Sequence, residues 1–240
     1  PMFVERTSIA LVLALGLALP LVGCEDPAAG VPKATVGSAQ PAKSAAATAT
    51  AAATAAATGA ASAAPVVEAA PSAKPAGAID VSADNTKVEF TGSKVTGKHD
   101  GIFQKVGGWL ALDADKPEQS KFFIEIDIAS VKTDSEKLDG HLKSDDFFAI
   151  DKFPTATFTS TEIKAGGEGG ATHTISGNLK MRGVEKPVSF PATVKVEAGA
   201  VTAKAEFAIN RKDWGIAYEG KKDDLIRDDV VIKLSLDMKR

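Results

Sequence analysis

The chain from residue 79 onward predicts an all-β fold of eight antiparallel strands that share one apolar face. Two observations predict it. Apolar and polar residues alternate with a period of two from Val81 onward, and glycine-containing turns such as Gly166–Gly170 and Arg182–Gly183 separate the alternating stretches. A sheet of this kind hides its apolar face either by closing into a barrel or by splitting into a sandwich.

The strands follow one another along the chain with short connections. In the third strand Phe122, Ile124 and Ile126 alternate with Phe123 and Glu125, and the same period returns in each of the last three strands. The predicted bounds are residues 86–95, 101–113, 121–133, 155–165, 171–182, 185–196, 200–210 and 229–239. A barrel of eight strands has room inside for filling side chains or for one small ligand.

Twelve large apolar side chains are in phase on the inward face of these strands. They are Phe122, Ile124, Ile126, Ile128, Phe158, Leu179, Phe190, Val194, Phe207, Ile209, Leu234 and Leu236. Small residues such as Ala192 and Ala203 share their phase, which favours a tunnel along the barrel. The alternative is that large and small side chains interdigitate at native density and leave no space.

A charged and aromatic segment interrupts the strands between residues 134 and 154. Asp134 is predicted to cap a short helix over 135–143, and Ser144 to cap a second turn that ends at Phe148. Leu142, Phe147 and Phe148 would then pack over one end of the barrel as a lid. Asp139 and His141 would satisfy polar groups at its rim.

The same end of the barrel is predicted to hold a second polar group. Arg211 follows an inward-facing strand directly and is expected either to brace the rim by pairing with Asp139 or another carboxylate, or to meet a lipid phosphate. Trp214 is expected to plug the barrel end.

Carboxylates near an imidazole are the raw material of acid–base catalysis, so the segment around His141 resembles an active site at first sight. Yet the only cysteine is Cys24, Ser160 lies within a predicted strand, and His99 and His173 are far from His141 in the chain. We therefore predict no catalytic residue, no metal site and no cofactor. With 28 basic and 31 acidic residues, the chain also lacks the charge of a nucleic-acid-binding protein.

The N-terminus carries an apolar run of 15 residues over 9–23, long enough for a secretory signal and short of a membrane span. It ends in Leu21-Val22-Gly23-Cys24, which resembles the bacterial lipobox. The sequence thus predicts a lipoprotein signal peptide over 1–23, acylation of Cys24, and export to the periplasm or outer face with a membrane anchor. A chance cysteine beside a signal or short anchor is the alternative.

An Ala/Thr/Pro-rich stretch separates this anchor from the strands. Residues 24–78 are predicted to form a disordered tether, because alanine repeats broken by threonine and proline offer no apolar stripe to pack. A flexible chain of about 50 residues would hold the barrel on the order of 40 Å from the membrane. The barrel domain is then assigned to residues 79–240.

Three stretches of sequence resemble the YceI-like family of lipid-binding, lipocalin-like barrels. They run from Ser130 through Leu138-Asp-Gly-His-Leu142 to Thr161, from Ile175 to Val188, and from Phe207 to Gly215 together with Asp228 to Leu234. The resemblance implies an eight-stranded lipocalin-like barrel with a short helical lid. It also implies a long apolar partner, a polyisoprenoid or quinone-like lipid, held in a cavity that the twelve inward residues line.

Two other functions stay open at this point. The barrel could serve as a ligand-free interaction module filled by its phenylalanines, or as an isomerase or hydrolase built on Asp139, His141 and Arg211. The sequence leaves the oligomeric state open, with a homodimer among the alternatives.

Overall fold

The computed structural model describes residues 26–38, 73–197 and 200–239. The predicted signal peptide, Cys24 and the central part of the predicted tether lie outside these residues. Within the described ranges the only α-helix has eight residues, and none is long and apolar enough to cross a membrane.

The described chain is almost entirely β-structure, with one α-helix near its middle. The elements are β1 (Thr35–Val36), β2 (Ile79–Ser82), β3 (Thr86–Lys94), β4 (Gly97–Phe103), β5 (Val106–Ala111), β6 (Lys121–Asp127), β7 (Val131–Thr133), α1 (Glu136–Lys143), β8 (Thr155–Ala165), β9 (His173–Met181), β10 (Val184–Glu197), β11 (Ala200–Asn210), β12 (Gly220–Lys221), β13 (Asp224–Leu225) and β14 (Asp229–Lys239).

The strands form an antiparallel meander that closes on itself. β8 pairs with β9, β9 with β10, β10 with β11, and β11 with β14. β14 then pairs with β3, near the start of the sheet. The closing register sets Val88 opposite Leu234 and Phe90 opposite Ile232. The all-β prediction is confirmed, and the strands hide their apolar face by closing into a barrel.

The predicted count of eight strands is wrong, because two of the long strands are bent. The predicted strand 101–113 is divided into β4 and β5, and its partner 121–133 into β6 and β7 around a short 3-10 turn at Ile128–Ser130. The halves still pair in one continuous hairpin, Phe103 with Val131 and Val106 with Ile126. β2, which precedes the first predicted strand, pairs with β5 and adds one more. The sheet therefore has eleven strands in its path, with β1 attached at the side.

The barrel wall has a gap between β10 and β11, which we call the seam. The two strands pair only from Thr193 to Glu197 of β10, and the part of β10 that precedes Thr193 is separated from β11. Pro187 and Pro191 explain the separation. The carbonyl of Pro187 faces the seam, and a residue four positions along a strand faces the same side, so both prolines lack an N–H where β11 would need a donor.

Residues 26–38, here called the strap, close the seam. Strand β1 pairs with β10, setting Thr35 opposite Ser189 and Val36 opposite Val188, while the Ala34 N–H donates to the carbonyl of Ala208 in β11 at 2.9 Å. Ala34 and Val36 pack against the apolar cluster of the barrel. The prediction that the whole of 24–78 is a disordered tether is therefore wrong for this segment.

The start of the strap is held against the outside of the barrel. Ala28 is buried against Ala208 and Val231, which face outward on β11 and β14. Lys33 forms an ion pair with Asp229, and Asp26 accepts a hydrogen bond from the Arg227 guanidinium at 3.0 Å. Apolar contact, backbone pairing and charge all fix the strap in one place.

We predict that the strap stabilises the barrel. The substitution Val36→Asp should lower the free energy of unfolding by about 2 kcal/mol, because it removes a packed side chain and places a carboxylate against apolar residues. The matched control is Thr35→Asp, since Thr35 is the exposed neighbour in the same strand. Urea unfolding of the full chain measures both, and equal midpoints for the two variants would contradict a packed strap.

Candidate functional site: the barrel interior

The barrel interior contains two apolar chambers arranged along its axis. The lid-end chamber has a volume of about 180 Å³ and lies beneath α1, between side chains such as Phe103, Leu142 and Ile216. The loop-end chamber has a volume of about 80 Å³ and reaches Leu112 and Pro117 at the other end of the barrel. An apolar cavity of roughly 150 Å³ already binds benzene in an engineered protein, so the larger chamber can hold an apolar group.

The two chambers share Ile124, Phe190 and Leu234, which form a waist between them. Four phenyl rings cross the interior near this waist. Phe122 packs on Phe158 at 5.5 Å, Phe158 on Phe190 at 5.6 Å, and Phe190 stacks on Phe207 at 4.1 Å between ring centroids. The interior is thus neither an open tunnel nor a filled core.

Gly177 gives this ring cluster its room. A Cβ atom at that position would lie 2.4 Å from the Phe158 ring, so any side chain there would displace the ring. Small residues in the inward phase therefore accommodate large neighbours at some positions, as the interdigitating alternative expects, and leave space at others.

The structure places every predicted inward side chain on a chamber wall. Phe122, Val194 and Leu236 line the loop-end chamber. The lid-end chamber is lined by Ile126, Ile128, Phe158, Leu179, Phe207 and Ile209, and the remaining three predicted residues form the waist. That these side chains contact a ligand stays a prediction.

Sequence reasoning missed several wall residues. Val88 and Phe90 of β3 line the lid-end chamber, and their period-two spacing was the available signal. Phe90 lies over Gly101 on the neighbouring strand, where a Cβ would come within 2.3 Å of its ring. Ile216 and Ile226 come from the irregular segment between β11 and β14, and no periodicity marks them.

The lid has the predicted position but different local bonds. Leu142, Phe147 and Phe148 line the lid-end chamber. Ser135 stands at the start of α1, and the Asp134 carboxylate accepts a hydrogen bond from the His99 ring at 2.8 Å, so the prediction that Asp134 caps the helix is wrong.

The residues after α1 form a turn and not a second helical turn, and the Ser144 hydroxyl donates to the carbonyl of His141. His141 is half-exposed at the rim. It hydrogen-bonds Asp146 at 3.0 Å and packs edge-on against Phe147 and Tyr218, each at 4.9 Å between ring centroids. These contacts tie the lid to the segment between β11 and β14.

Asp139 is the most strongly perturbed acid of the site. Its buried carboxylate accepts hydrogen bonds from the Thr133 hydroxyl and the Thr133 N–H, both at 2.6 Å, and pairs with Lys132 at 3.0 Å. These bonds, the Thr133 hydroxyl first among them, lower the pKa of Asp139 to about 2. The carboxylate thereby joins α1 to β7 and holds the lid to the barrel wall.

Arg211 does not pair with Asp139, so that form of the predicted brace is wrong. Its buried guanidinium donates to the carbonyls of Ile216, Arg227 and Ile226 at 2.7, 3.0 and 3.3 Å, and lies 3.5 Å from the carboxylate of Asp228. Desolvation lowers the pKa of Arg211. The side chain braces the segment between β11 and β14, and among the described residues it is the only charged one on the wall of the lid-end chamber.

Trp214 is fully buried beside the barrel and lines neither chamber. Its indole N–H donates to the carbonyl of Leu179 at 3.1 Å, and its ring packs in the cluster that contains Val188 and Ile209. It therefore packs in the wall where β10 and β11 are separated, whereas the prediction was a plug against the barrel end.

The groups required by the enzyme hypothesis are not brought together. Asp139 bonds Thr133 and Lys132, His141 bonds Asp146, and Arg211 bonds backbone carbonyls. Among the described residues there is also no group of three or more His, Cys, Asp or Glu side chains placed to hold a metal ion.

A closed antiparallel barrel of successively paired strands around an apolar interior places the fold in the lipocalin-like class of β-barrels. The chain belongs to the YceI-like family, whose domain profile matches residues 79–238. It is 34% identical over 139 residues to a UPF0312 protein of Pseudomonas putida, covering 55% of this chain and 71% of that protein. A UPF0312 protein of Pseudomonas savastanoi is 36% identical over 126 residues, covering 50% and 65%.

Two solved structures show the same fold. BcnA of Burkholderia cenocepacia is 25% identical with a TM-score of 0.56, and the match covers 64% of this chain and 96% of that one. A polyisoprenoid binding domain from Saccharophagus degradans is 17% identical with a TM-score of 0.51, covering 64% and 93%. The predicted lipocalin-like barrel is confirmed.

We predict that Asp139 makes stability depend on pH in the acid range. Because its pKa is about 2 in the folded chain and 3.8 as the unperturbed value, its contribution is present above about pH 4 and is lost as the pH falls toward 2. The measurement is urea unfolding of the parent chain and of Asp139→Asn between pH 6 and pH 2. Their stabilities should converge below pH 4, and a constant difference would contradict the assignment.

Proposed function

We propose that this protein binds a long apolar lipid, of isoprenoid or quinone-like type, inside its barrel and carries or sequesters it at a bacterial membrane. The observation that carries the proposal is the pair of apolar chambers that meet at the waist of Ile124, Phe190 and Leu234. An elongated chain would occupy both. A compact ligand would need only one.

The walls indicate the kind of ligand. The lid-end chamber has no charged side chain other than Arg211, whose N–H groups already donate to three carbonyls. A charged ligand would lose its hydration there without compensation, whereas a hydrocarbon chain loses nothing. The fold shared with a polyisoprenoid binding domain supports the same class of ligand.

The membrane part of the proposal rests on the N-terminal sequence. Residues 9–23 and the lipobox-like Leu21–Cys24 support export, cleavage before Cys24 and acylation of that cysteine. Two or more acyl chains give stable anchoring, which one chain does not. The barrel would then lie at the periplasmic or outer face of a membrane, with no catalytic step of its own.

The ring cluster favours one competing function, a ligand-free interaction module. In that case the contacts among Phe122, Phe158, Phe190 and Phe207 would be permanent core packing. In the lipid-binding case a bound chain would pass the waist, and rotation of the Phe190 ring would let it through. The two functions differ in whether purified protein contains lipid.

We predict that protein isolated from a bacterium that makes polyprenols and quinones carries a long apolar lipid, seen by native mass spectrometry and in organic extracts. The variant Ala156→Phe should reduce the bound lipid by roughly tenfold, because the added ring projects from a wall residue into the lid-end chamber. Ala165→Phe is the matched control, since Ala165 is exposed on the same strand.

Thermal unfolding of both variants separates lost lipid from lost fold, since overpacking costs about 1–3 kcal/mol. Parent protein without lipid, together with an Ala156→Phe variant less stable than the parent, would favour the interaction module, because its interior would already be filled. Acylation is tested separately by radiolabelled palmitate, which should label the parent chain and not Cys24→Ser.

A further inference from the structure

The strap changes where the predicted anchor leaves the barrel. Asp26 is fixed to Arg227 by an ion pair at 3.0 Å, and the backbone N–H of Arg227 donates to the carbonyl of Ser93 at the end of β3. Cys24 precedes Asp26 by two residues, so its Cα lies within about 8 Å of that of Asp26. A membrane anchor at Cys24 would therefore lie beside the lid end of the barrel, with no long flexible segment between the anchor and the barrel.

A small apolar surface lies at this same end, and we call it the tip. It consists of the turn between β3 and β4 and the hairpin of β12 and β13. Val95 and Leu225 are 52% and 46% exposed, and they are the only exposed large hydrophobic residues in the described part of the chain. The Val95 N–H donates to the Leu225 carbonyl at 3.1 Å, so the two side chains project from neighbouring backbone.

The tip is held rigidly. The Asp224 carboxylate accepts hydrogen bonds from Lys94 and from the hydroxyl and N–H of Thr96, the latter two at 2.8 and 3.2 Å. Lys94 also pairs with Ile226 through an isolated antiparallel bridge. These bonds join the turn and the hairpin into one unit, so Val95 and Leu225 stay exposed because the backbone holds them there.

The charges around the tip nearly balance. The exposed charged residues of these segments are Lys98, Lys221, Lys222, Glu219 and Asp223, while Lys94 and Asp224 form an ion pair. Such a surface has no strong attraction to nucleic acid or to an acidic protein. An apolar pair ringed by lysines and their counter-charges fits the boundary between head groups and acyl chains of a bilayer.

The tip also adjoins the lid-end chamber. Ile226 lines that chamber, and it directly follows Leu225 in the chain. Ile216, held by Arg211, lines the chamber from the same segment. A bilayer in contact with the tip would thus lie next to the end of the cavity that we propose for an apolar lipid.

We propose that the tip docks on the lipid bilayer, with Val95 and Leu225 inserted at the acyl-chain boundary and the lid end of the barrel facing the membrane. This inference rests on the proposed membrane anchoring near residue 24. It names the bilayer as the surface against which the lid end of the lipid-binding barrel is placed. The barrel is held on the membrane in one orientation, and residues 39–72 connect two segments that both lie on the barrel, β1 and β2.

The test measures which end of the barrel meets the lipid. Cys24 is the only cysteine, so the full chain can be coupled there to a maleimide phospholipid in phosphatidylcholine vesicles that contain brominated acyl chains. Residues 1–23 directly precede Cys24. If this apolar segment itself inserts into the vesicle, the barrel is still attached to the membrane at residue 24. Native Trp109 and Trp214 are buried, which keeps the background low.

In this preparation the Leu225→Trp variant should lose at least half of its added fluorescence to the bromine atoms. The matched control is Glu168→Trp, because Glu168 is exposed in the turn after β8 at the opposite end of the barrel, and it should lose none. Adding Val95→Ser to Leu225→Trp should reduce the quenching, since half of the apolar contact is then removed.

Equal quenching of the two tryptophan variants would overturn the inference. Absence of quenching in both would also overturn it, and that result is expected if a long flexible tether holds the barrel away from the membrane. Both outcomes are independent of whether native mass spectrometry finds lipid in the barrel and of whether palmitate labels Cys24. Failure of the docking surface is therefore distinguishable from failure of the proposed function.

Discussion

Pairing of the first and last strands of the meander is the constraint on which the rest of this structure depends. The long strands of the barrel, such as β3 and β14, present an alternating set of apolar side chains, and that face would meet water if the sheet stayed open. The register between β14 and β3 removes both edges at once, and it brings residues distant in the chain, such as Phe90 and Ile232, onto one interior wall. The chambers, the waist and the lid exist only because the sheet is closed.

Closure is incomplete at one place, and the chain supplies its own repair. Pro187 and Pro191 remove two of the N–H donors of β10 on the side of β11, and the strap provides the backbone groups and the apolar side chains that the seam lacks. The same strap fixes Asp26 beside Arg227 at the lid end. The gap in strand pairing thus fixes the strap on the barrel, and the strap fixes the point, at the lid end, from which the chain continues toward its N-terminus.

The periodic parts of the fold could be predicted from the sequence and the aperiodic parts could not. The inward phase of β6, β10, β11 and β14 was readable from alternation alone, and the family resemblance supplied the barrel and the lid. At the bends the inward phase shifts by one residue, from Phe103 to Val106 and from Ile128 to Val131, and the prediction continued one strand across each of them. The strap was missed because two paired residues in a region rich in alanine carry too little pattern, although two prolines four positions apart in β10 signalled an unpaired edge. Partners of charged groups were the least predictable: Asp134 reaches His99 and Arg211 reaches carbonyls, because such contacts depend on tertiary packing.

The central claim is that the interior is a container for a long apolar chain. The most direct measurement is a crystal structure of protein purified from its native source. The account predicts continuous elongated density that passes the Phe190 ring and contacts both Ile232 beneath the lid and Leu236 toward the other end of the barrel. An interior occupied only by side chains, with the rings of Phe122, Phe158, Phe190 and Phe207 in mutual contact and no density in either chamber, would contradict it.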